Sequence, residues 1–170
     1  MRPSETTIEA PTGNRAAMRI RVDGIVQGVG FRPFVFGLAQ SLSLAGSIVN
    51  DLRGVAIEVE GIVSHIDEFR ARLISDAPPL AFIQNVISEP ISIANRSVFE
   101  ILASHAEGER DVLISPDIAT CDDCLREIFD PLDRRYRYPF TNCTNCGPRF
   151  TVVRGVPYDR SRTTMAEFPM

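Results

Sequence analysis

The amino-acid sequence predicts an α+β protein, in which a βαββαβ sandwich precedes a small cysteine-rich segment. Stretches in which apolar and polar residues alternate, as in strands with one buried face, surround two stretches with the apolar spacing of a helix. The order strand, helix, strand, strand, helix, strand gives a split βαβ, ferredoxin-like sandwich. All four cysteines follow these stretches. They lie in a segment that is too small to bury much core and therefore needs a cross-link to be stable.

The first strand and helix are separated by a loop with two glycines. Residues 18–26 alternate in the manner of a strand. Pro33 is predicted at the first helical position, where its missing N–H is not needed. The apolar positions of the helix are Phe34, Leu38, Ala39 and Leu42. Gly46 is predicted to end this helix.

A hairpin is predicted directly after the first helix. Residues 47–50 form its first strand, and residues 55–60 form its second, in which apolar and polar residues alternate again. The tetrapeptide Asp-Leu-Arg-Gly at residues 51–54 turns the chain between them.

A second helix and two further strands complete the predicted sandwich. The helix runs from Ser64 to near Asp76 and ends before two prolines. Its apolar face consists of Ile66, Phe69 and Leu73. Residues 82–88 and 98–102 are predicted strands, one of which extends the sheet at its edge.

The chain divides into four parts by composition. Residues 1–16, rich in Ser, Thr and Pro, are predicted to be a disordered leader. The sandwich is placed at residues 17–103, and a polar linker without periodicity at residues 104–114. Residues 115–170 form the cysteine segment.

Composition also excludes several classes of protein. The formal net charge of −4 gives no global reason to expect a nucleic-acid partner. All 18 basic residues are arginines, so a Walker-type phosphate loop, a Schiff-base enzyme and a pyridoxal enzyme are excluded unless a partner supplies the amine. No apolar run has the length of a signal peptide or a membrane span, so we expect a cytoplasmic protein without a membrane partner.

The loop VQGVGFR, residues 26–32, has the composition of an anion-binding nest. Gly28 and Gly30 allow several backbone N–H groups to point at one spot, where the positive end of the next helix adds to them. Arg32 supplies a planar, permanently charged donor for two phosphate oxygens. The dinucleotide-binding fingerprint is not met, because Pro33 stands in place of its third glycine. The same residues also suit an ordinary tight turn from strand to helix.

Two short motifs resemble those of the acylphosphatases. VQGVGFR is similar to that family's signature loop, and GSIVN at residues 46–50 is similar to its second signature, which ends in the catalytic asparagine. The resemblance implies that Arg32 clamps a phosphoryl group and that the carboxamide of Asn50 orients the attacking water. The backbone that would cradle the phosphoryl group belongs to Gln27, Gly28, Val29, Gly30, Phe31 and Arg32. Taken alone, Asn50 is also a common turn residue at the end of a strand.

The cysteines form two C-x2-C pairs with eighteen residues between them. They are Cys121, Cys124, Cys143 and Cys146. This spacing is typical of a Zn²⁺ site with four thiolates, which would be structural because no coordination position is left open. A thioredoxin-like redox site is the competing interpretation, but neither pair follows a strand within a βαβ pattern.

The cysteine segment resembles the zinc-finger region of the carbamoyltransferases that mature NiFe hydrogenases, the HypF family. The similarity covers SPDIATCDDCLREIFDPLDRRYRYPFTNCTNCGPRF, and the loop GVGFRPF adds to it. In that family the cysteine pattern occurs twice, so we expect the segment at residues 115–170 to be truncated before a second cysteine repeat. Whether the four cysteines hold zinc alone or share it with a second repeat stays open.

This resemblance implies hydrolysis of carbamoyl phosphate, or of another acyl phosphate, to carbamate and phosphate. The full-length enzyme would pass the carbamoyl group to a carbamoyl-accepting hydrogenase maturation protein. The alternative is a non-catalytic module that binds an anion in its loop and docks other domains through its zinc-stabilised segment. The run DRRYRY at residues 133–138 is compatible with a nucleic-acid surface, but the acidic residues around it favour paired surface arginines or a docking face.

Overall fold

The structure of the protein, a computed structural model, describes residues 14–104, 113 and 115–168. The predicted leader lies outside the described residues except for residues 14–16, and the predicted linker does so except for Ser104 and Leu113. Within the described ranges, none of the helices has the length and apolar character needed to cross a membrane.

Five strands and two helices form the predicted sandwich, and a third helix lies in the cysteine segment. The strands are β1 (Arg15–Ile25), β2 (Ala45–Asn50), β3 (Val55–Ile62), β4 (Phe82–Ile91) and β5 (Phe99–Ile101). The helices are α1 (Phe31–Ser41), α2 (Val63–Ser75) and α3 (Asp122–Phe129). The sheet order is β4-β1-β3-β2-β5, with β5 parallel to β2 and all other neighbours antiparallel. The predicted βαββαβ order with an extra edge strand is therefore confirmed.

The sheet has one apolar and one charged face, as the alternation of side chains along a strand requires. Ile57 of β3 pairs with Ile20 of β1 and Ile48 of β2, and all three side chains are fully buried. Helices α1 and α2 contribute to the same core. The buried positions of α2 are the predicted Ile66, Phe69 and Leu73. On the charged face, Arg19 of β1 forms an ion pair with Glu58 of β3 at 2.9 Å.

Two details around α1 and β2 differ from the sequence prediction. α1 begins at Phe31, two residues earlier than predicted, after Gly30 in the left-handed conformation (φ 79°). The buried face of α1 accordingly consists of Phe31, Val35, Leu38 and Ala39. The prediction that Gly46 ends the helix is wrong, because Gly46 lies inside β2. A Cβ at Gly46 would lie 1.9 Å from the carbonyl oxygen of Glu58, so the close approach of β2 to β3 requires glycine here.

Glu60 is a buried acid that connects the start of the sheet to the segment after β4. β1 begins two residues before the predicted start of the sandwich, and its Arg15 forms an ion pair with Glu60 at 3.2 Å. The Glu60 carboxylate also accepts hydrogen bonds from the backbone N–H groups of Ala94 (2.9 Å) and Arg96 (3.4 Å). Burial raises the pKa of Glu60, but these donors outweigh burial and hold the pKa below its usual value. The carboxylate thereby fixes the connection between β4 and β5.

The cysteine segment buries few large apolar side chains. Cys124, Cys146 and Val156 are buried, but Phe129 at the end of α3 is 74% exposed and Leu132 is 96% exposed. So small a core needs a further source of stability, as the sequence predicted.

The basic run at residues 133–138 lies in this segment. Arg135 forms an ion pair with Glu127 of α3 at 2.5 Å. The guanidinium of Arg137 lies over the ring of Tyr136, 5.7 Å from its centroid. The pairing of Arg135 confirms the prediction of paired arginines for that residue.

Candidate functional site

The predicted loop and Asn50 meet at one edge of the sheet. β1 and β2 both run antiparallel to β3, so their carboxyl ends lie at the same edge. Val55 of β3 pairs with Val22 of β1 on one side and with Asn50 of β2 on the other. The glycine loop leaves β1 at this edge and leads into α1. Strand pairing therefore brings together two motifs that are separated along the chain.

The glycine loop presents unpaired backbone donors. Gly28 (φ 77°) and Gly30 (φ 79°) are both in the left-handed region, which other residues rarely enter. Gly30 precedes α1 without a side-chain cap, and the first helical bond runs from the Phe34 N–H to the Gly30 carbonyl at 3.1 Å. Among the described residues, no acceptor pairs with the backbone N–H groups of residues 27–32. These groups and the positive end of α1 suit an anion.

Arg32 holds its guanidinium beside this loop. Its side chain is 25% exposed, and its Nη2 lies 3.0 Å from Oδ1 of Asp159 in the cysteine segment. Its Nη1 lies 3.4 Å from Oγ of Ser104. The guanidinium thus reaches a second segment of the chain instead of remaining in open solvent.

Asn50 is fully buried, with 0% of its surface exposed. Neither its Oδ1 nor its Nδ2 has a hydrogen-bond partner among the described residues. Buried side-chain amides are nearly always paired in folded proteins, and each exception calls for an explanation. An amide kept without a partner at this sheet edge is suited to a water molecule or a substrate oxygen.

The side chain of Gln27 fastens the loop to the turn after Asn50. Its Nε2 donates to the carbonyl oxygens of Asp51 and Gly54, both at 2.8 Å. Its Oε1 accepts a hydrogen bond from the backbone N–H of Tyr158 at 2.9 Å. The side chain of Gln27 therefore holds the loop in place and leaves its backbone N–H free of any partner among the described residues.

Asp51 stabilises the same turn from the other side. It accepts two hydrogen bonds from the guanidinium of Arg21 on β1, at 2.8 and 3.3 Å, and bonds from the backbone N–H groups of Arg53 and Gly54. Burial raises the pKa of Asp51, but these donors outweigh burial and lower the pKa below its usual value. The turn that follows Asn50 is therefore held by both β1 and the loop.

The cysteine segment covers the glycine loop. A Cβ at Gly28 would lie 2.9 Å from the ring of Tyr158 and 3.1 Å from Pro148, and a Cβ at Gly30 would lie 3.0 Å from Cβ of Thr144. A cavity of about 500 Å³ remains between the loop and this cover. Its walls include Gly28, Gly30, Arg32, Asn142, Thr144 and Asp159. The loop side of the candidate site is thus enclosed by two segments of the chain, whereas Asn50 does not line this cavity.

The four predicted metal ligands form one cluster. The Sγ atoms of all four cysteines lie within 4.8 Å of one another. Those of Cys121 and Cys143 are 3.5 Å apart, and those of Cys124 and Cys146 are 3.9 Å apart. Four thiolates at about 2.3 Å from one tetrahedral zinc ion would lie about 3.8 Å apart. The cluster therefore fits a single ion with these four residues as ligands.

Comparison with known proteins assigns both parts of the chain. The acylphosphatase family profile matches residues 18–101, and the HypF finger profile matches residues 120–153. The acylphosphatase of Thermotoga petrophila is 42% identical over 74 residues, which are 43% of this chain and 81% of that protein. The chain belongs to the acylphosphatase family. Its acylphosphatase region contains both the glycine loop and Asn50.

Longer relatives combine the acylphosphatase region with the finger. Carbamoyltransferase HypF2 of Cupriavidus necator is 50% identical over 154 residues, which are 89% of this chain and 19% of the relative. A crystal structure of full-length HypF in the phosphate- and nucleotide-bound form is 45% identical with a TM-score of 0.88, over 95% of this chain and 21% of that one. This chain therefore spans about a fifth of their length. The resemblance to the N-terminal acylphosphatase domain and zinc finger of HypF is confirmed.

The cysteine segment has thiols suited to a metal. Burial raises the pKa of Cys124 and Cys143. Burial also raises the pKa of Cys146, but the backbone N–H of Cys143 and the guanidinium of Arg149, 3.2 Å from the sulfur, outweigh it and lower the pKa to about 6. The lowered pKa of Cys146 favours its thiolate, which is the form that binds a metal ion.

Three residues that contact the glycine loop were not predicted as site residues from the sequence. They are Thr144, Tyr158 and Asp159. Asp159 is 127 residues from Arg32 along the chain, and Tyr158 is 131 residues from Gln27. No local pattern marks such contacts. The only signal in the sequence was the small core of the finger, which has to pack against a neighbour to be stable.

Proposed function

We propose that the acylphosphatase region hydrolyses carbamoyl phosphate, or another acyl phosphate, to carbamate and phosphate. The observation that carries this proposal is Asn50, a fully buried amide without a partner among the described residues, at the sheet edge from which the glycine loop departs. Leaving a buried polar group unpaired costs about 1–3 kcal/mol. A role in catalysis explains why the protein keeps the amide there.

Each group has a separate task in the proposed reaction. The N–H groups of residues 27–32 and the guanidinium of Arg32 bind the phosphoryl oxygens and stabilise the charge that develops on them. The carboxamide of Asn50 orients a water molecule for attack on phosphorus. The bond between phosphorus and the acyl oxygen breaks, carbamate leaves, and the water oxygen becomes part of the released phosphate.

A structural Zn²⁺ at the four cysteines is part of the proposal. Cys121 and Cys124 at the start of α3 and Cys143 and Cys146 in the following loop would hold it. A bound zinc ion supplies a cross-link between these two segments, which have little core of their own.

The place of this chain in a longer protein is also proposed. Its parts would be an acylphosphatase domain at residues 17–103, a linker at residues 104–114 and a zinc finger at residues 115–170. In a protein of the HypF type, the carbamate would serve carbamoyl transfer to a hydrogenase maturation protein that accepts the carbamoyl group.

A second candidate function is an anion-binding and docking module without catalysis. One observation favours it. The finger packs directly on the glycine loop, and the carboxylate of Asp159 forms an ion pair with the guanidinium of Arg32. On this reading the loop holds an anion, and the zinc-stabilised segment docks other domains.

Phosphate release from carbamoyl phosphate tests the first candidate. Asn50→Ala is expected to lower kcat about 100-fold or more with little change in KM, since a residue that positions the nucleophile acts in the transition state. Arg32→Ala is expected to raise the Kd for inorganic phosphate about tenfold or more, because it removes charge-assisted hydrogen bonds.

Matched controls are Asn85→Ala, an exposed amide on β4, and Arg70→Ala, an exposed arginine on α2. Both should leave kcat and KM unchanged. Equal loss of phosphate binding in the Asn50 and Arg32 variants would contradict their separate roles. Phosphate binding by the wild type without turnover of any acyl phosphate would establish the second candidate.

A further inference from the structure

Asp159 forms an ion pair with Arg32, the residue proposed to bind a phosphoryl group. Its Oδ1 lies 3.0 Å from Nη2 of Arg32, and the two side chains are 31% and 25% exposed. Both residues line the cavity of about 500 Å³ over the glycine loop. Among the described residues, Asp159 supplies the only carboxylate that pairs with Arg32.

The neighbouring contacts hold Asp159 at this position. The backbone N–H of Tyr158 donates to Oε1 of Gln27, whose Nε2 is already bound to the turn after Asn50. The ring of Tyr158 packs against Gly28. Tyr158, the residue before Asp159, is therefore anchored to the glycine loop, and this anchor holds Asp159 near Arg32.

A phosphoryl group and Asp159 would compete for the same donors. A guanidinium binds phosphate best through two parallel N–H groups, and the carboxylate of Asp159 already uses Nη2. Two anionic groups a few ångströms apart in a partly buried cavity also repel each other. Both effects are relieved when Asp159 moves away from Arg32.

We propose that Asp159 competes with the substrate for Arg32. Its carboxylate forms an ion pair with Arg32 in the empty site and is displaced when an acyl phosphate or inorganic phosphate binds. The inference rests on the proposed function only in that residues 27–32 bind phosphoryl oxygens. It extends that function, because it assigns a residue of the finger to the phosphoryl site. Occupancy of the site then changes the contact between the finger and the loop.

Calorimetric titration with inorganic phosphate at constant ionic strength tests the competition. Asp159→Asn keeps the shape of the side chain and removes its charge, and it is expected to lower the Kd about three- to tenfold, as for the loss of a partly exposed ion pair. The matched control is Glu167→Gln, an exposed acid of the same segment that forms no ion pair with a described residue. Its Kd should stay within about twofold of the wild type.

A second pair of variants shows whether the effect passes through Arg32. In an Arg32→Ala background, adding Asp159→Asn should lower the phosphate Kd by less than it does in the wild type, because only the direct repulsion between the two anions is left to remove. An unchanged or raised Kd for Asp159→Asn in the wild-type background would overturn the proposal, and a raised Kd would make Asp159 a positioning residue for Arg32. Failure of both proteins to bind phosphate would overturn it as well.

Hydrogen exchange gives a readout that does not depend on affinity. Saturating phosphate should increase exchange at the Tyr158 amide in the wild type, because displacement of Asp159 loosens the segment that begins there. Unchanged exchange would mean that Asp159 stays in place. Carbamoyl phosphate turnover is measured on the same samples, since tighter phosphate binding by Asp159→Asn without turnover would overturn the proposed hydrolysis and leave the competition standing.

Discussion

The side chain of Asn50 serves the proposed reaction, and its unpaired buried amide lowers the stability of the fold. Leu has nearly the same shape as Asn and no polar atoms to satisfy. Replacing Asn50 by Leu is therefore expected to raise the free energy of unfolding by about 1 kcal/mol or more, because it removes an unpaired buried amide. The same substitution should abolish carbamoyl phosphate turnover. Urea unfolding and phosphate release on the same samples measure both effects.

Asn85→Leu, on the exposed side of the edge strand β4, is the matched control and should change neither quantity by much. A clear loss of stability in Asn50→Leu would mean that the amide is paired in solution and has a structural role. Retained turnover would show that Asn50 does not orient the water.

The candidate site residues that the sequence predicted are those that a short motif carries. Gly28, Gly30 and Arg32 stand within seven consecutive residues, and the positive φ of both glycines is a backbone conformation that glycine adopts most readily. The role of the Gln27 side chain was not predictable, because its hydrogen bonds depend on the fold bringing the turn at residues 51–54 beside the loop.

Among the strands, β3 carries an ionisable residue whose charge matters for stability. Glu60→Gln is expected to lower the free energy of unfolding by about 1–3 kcal/mol at neutral pH, because it removes the charge that binds Arg15 and two backbone N–H groups. The folded-state pKa of Glu60 lies below its usual value of 4.5. Its contribution is therefore complete above that value and is lost as the pH falls through the lower, folded-state pKa.

Unfolding by urea between pH 3 and pH 7 checks this dependence. The difference between the wild type and Glu60→Gln should be largest near neutrality and shrink below about pH 4.5. Glu89→Gln is the control, since Glu89 also pairs with an arginine of β1 but is 59% exposed. A difference that does not change with pH would show that shape, and not charge, is what Glu60 supplies.

Periodicity in the sequence predicted the strands and helices, but it did not predict the residues at which they begin and end. Alternation located β1 and β3, and helical spacing located α2 with its three buried residues. Gly46 misled the prediction because glycine ends helices and also permits close strand approach, and only the packing of β2 on β3 decides between the two.

For the molecule as a whole, the important contact lies between two parts that the sequence presents as separate. The finger packs on the loop through Thr144 and Pro148, which lie between and just after the second pair of cysteines. Gly147 also approaches Val29 and Leu80. Such contacts join residues 67 to 120 positions apart, so periodicity and short motifs carry no information on them.

Removal of the metal should therefore unfold the finger and leave the sheet intact. Chelation of a zinc-loaded sample is expected to abolish hydrogen-exchange protection in α3 and at the Tyr158 amide, because the cysteine segment has few buried apolar side chains to hold it. Amides of β1 and β3 should keep their protection, since their buried core is formed by the sheet, α1 and α2. Cys121→Ser should reproduce the chelated pattern without chelator and should bind less than one equivalent of zinc. Simultaneous loss of protection in β1 and β3 would show instead that the finger and the sandwich form one cooperative unit, in which the cover over the glycine loop stabilises the sheet beneath it.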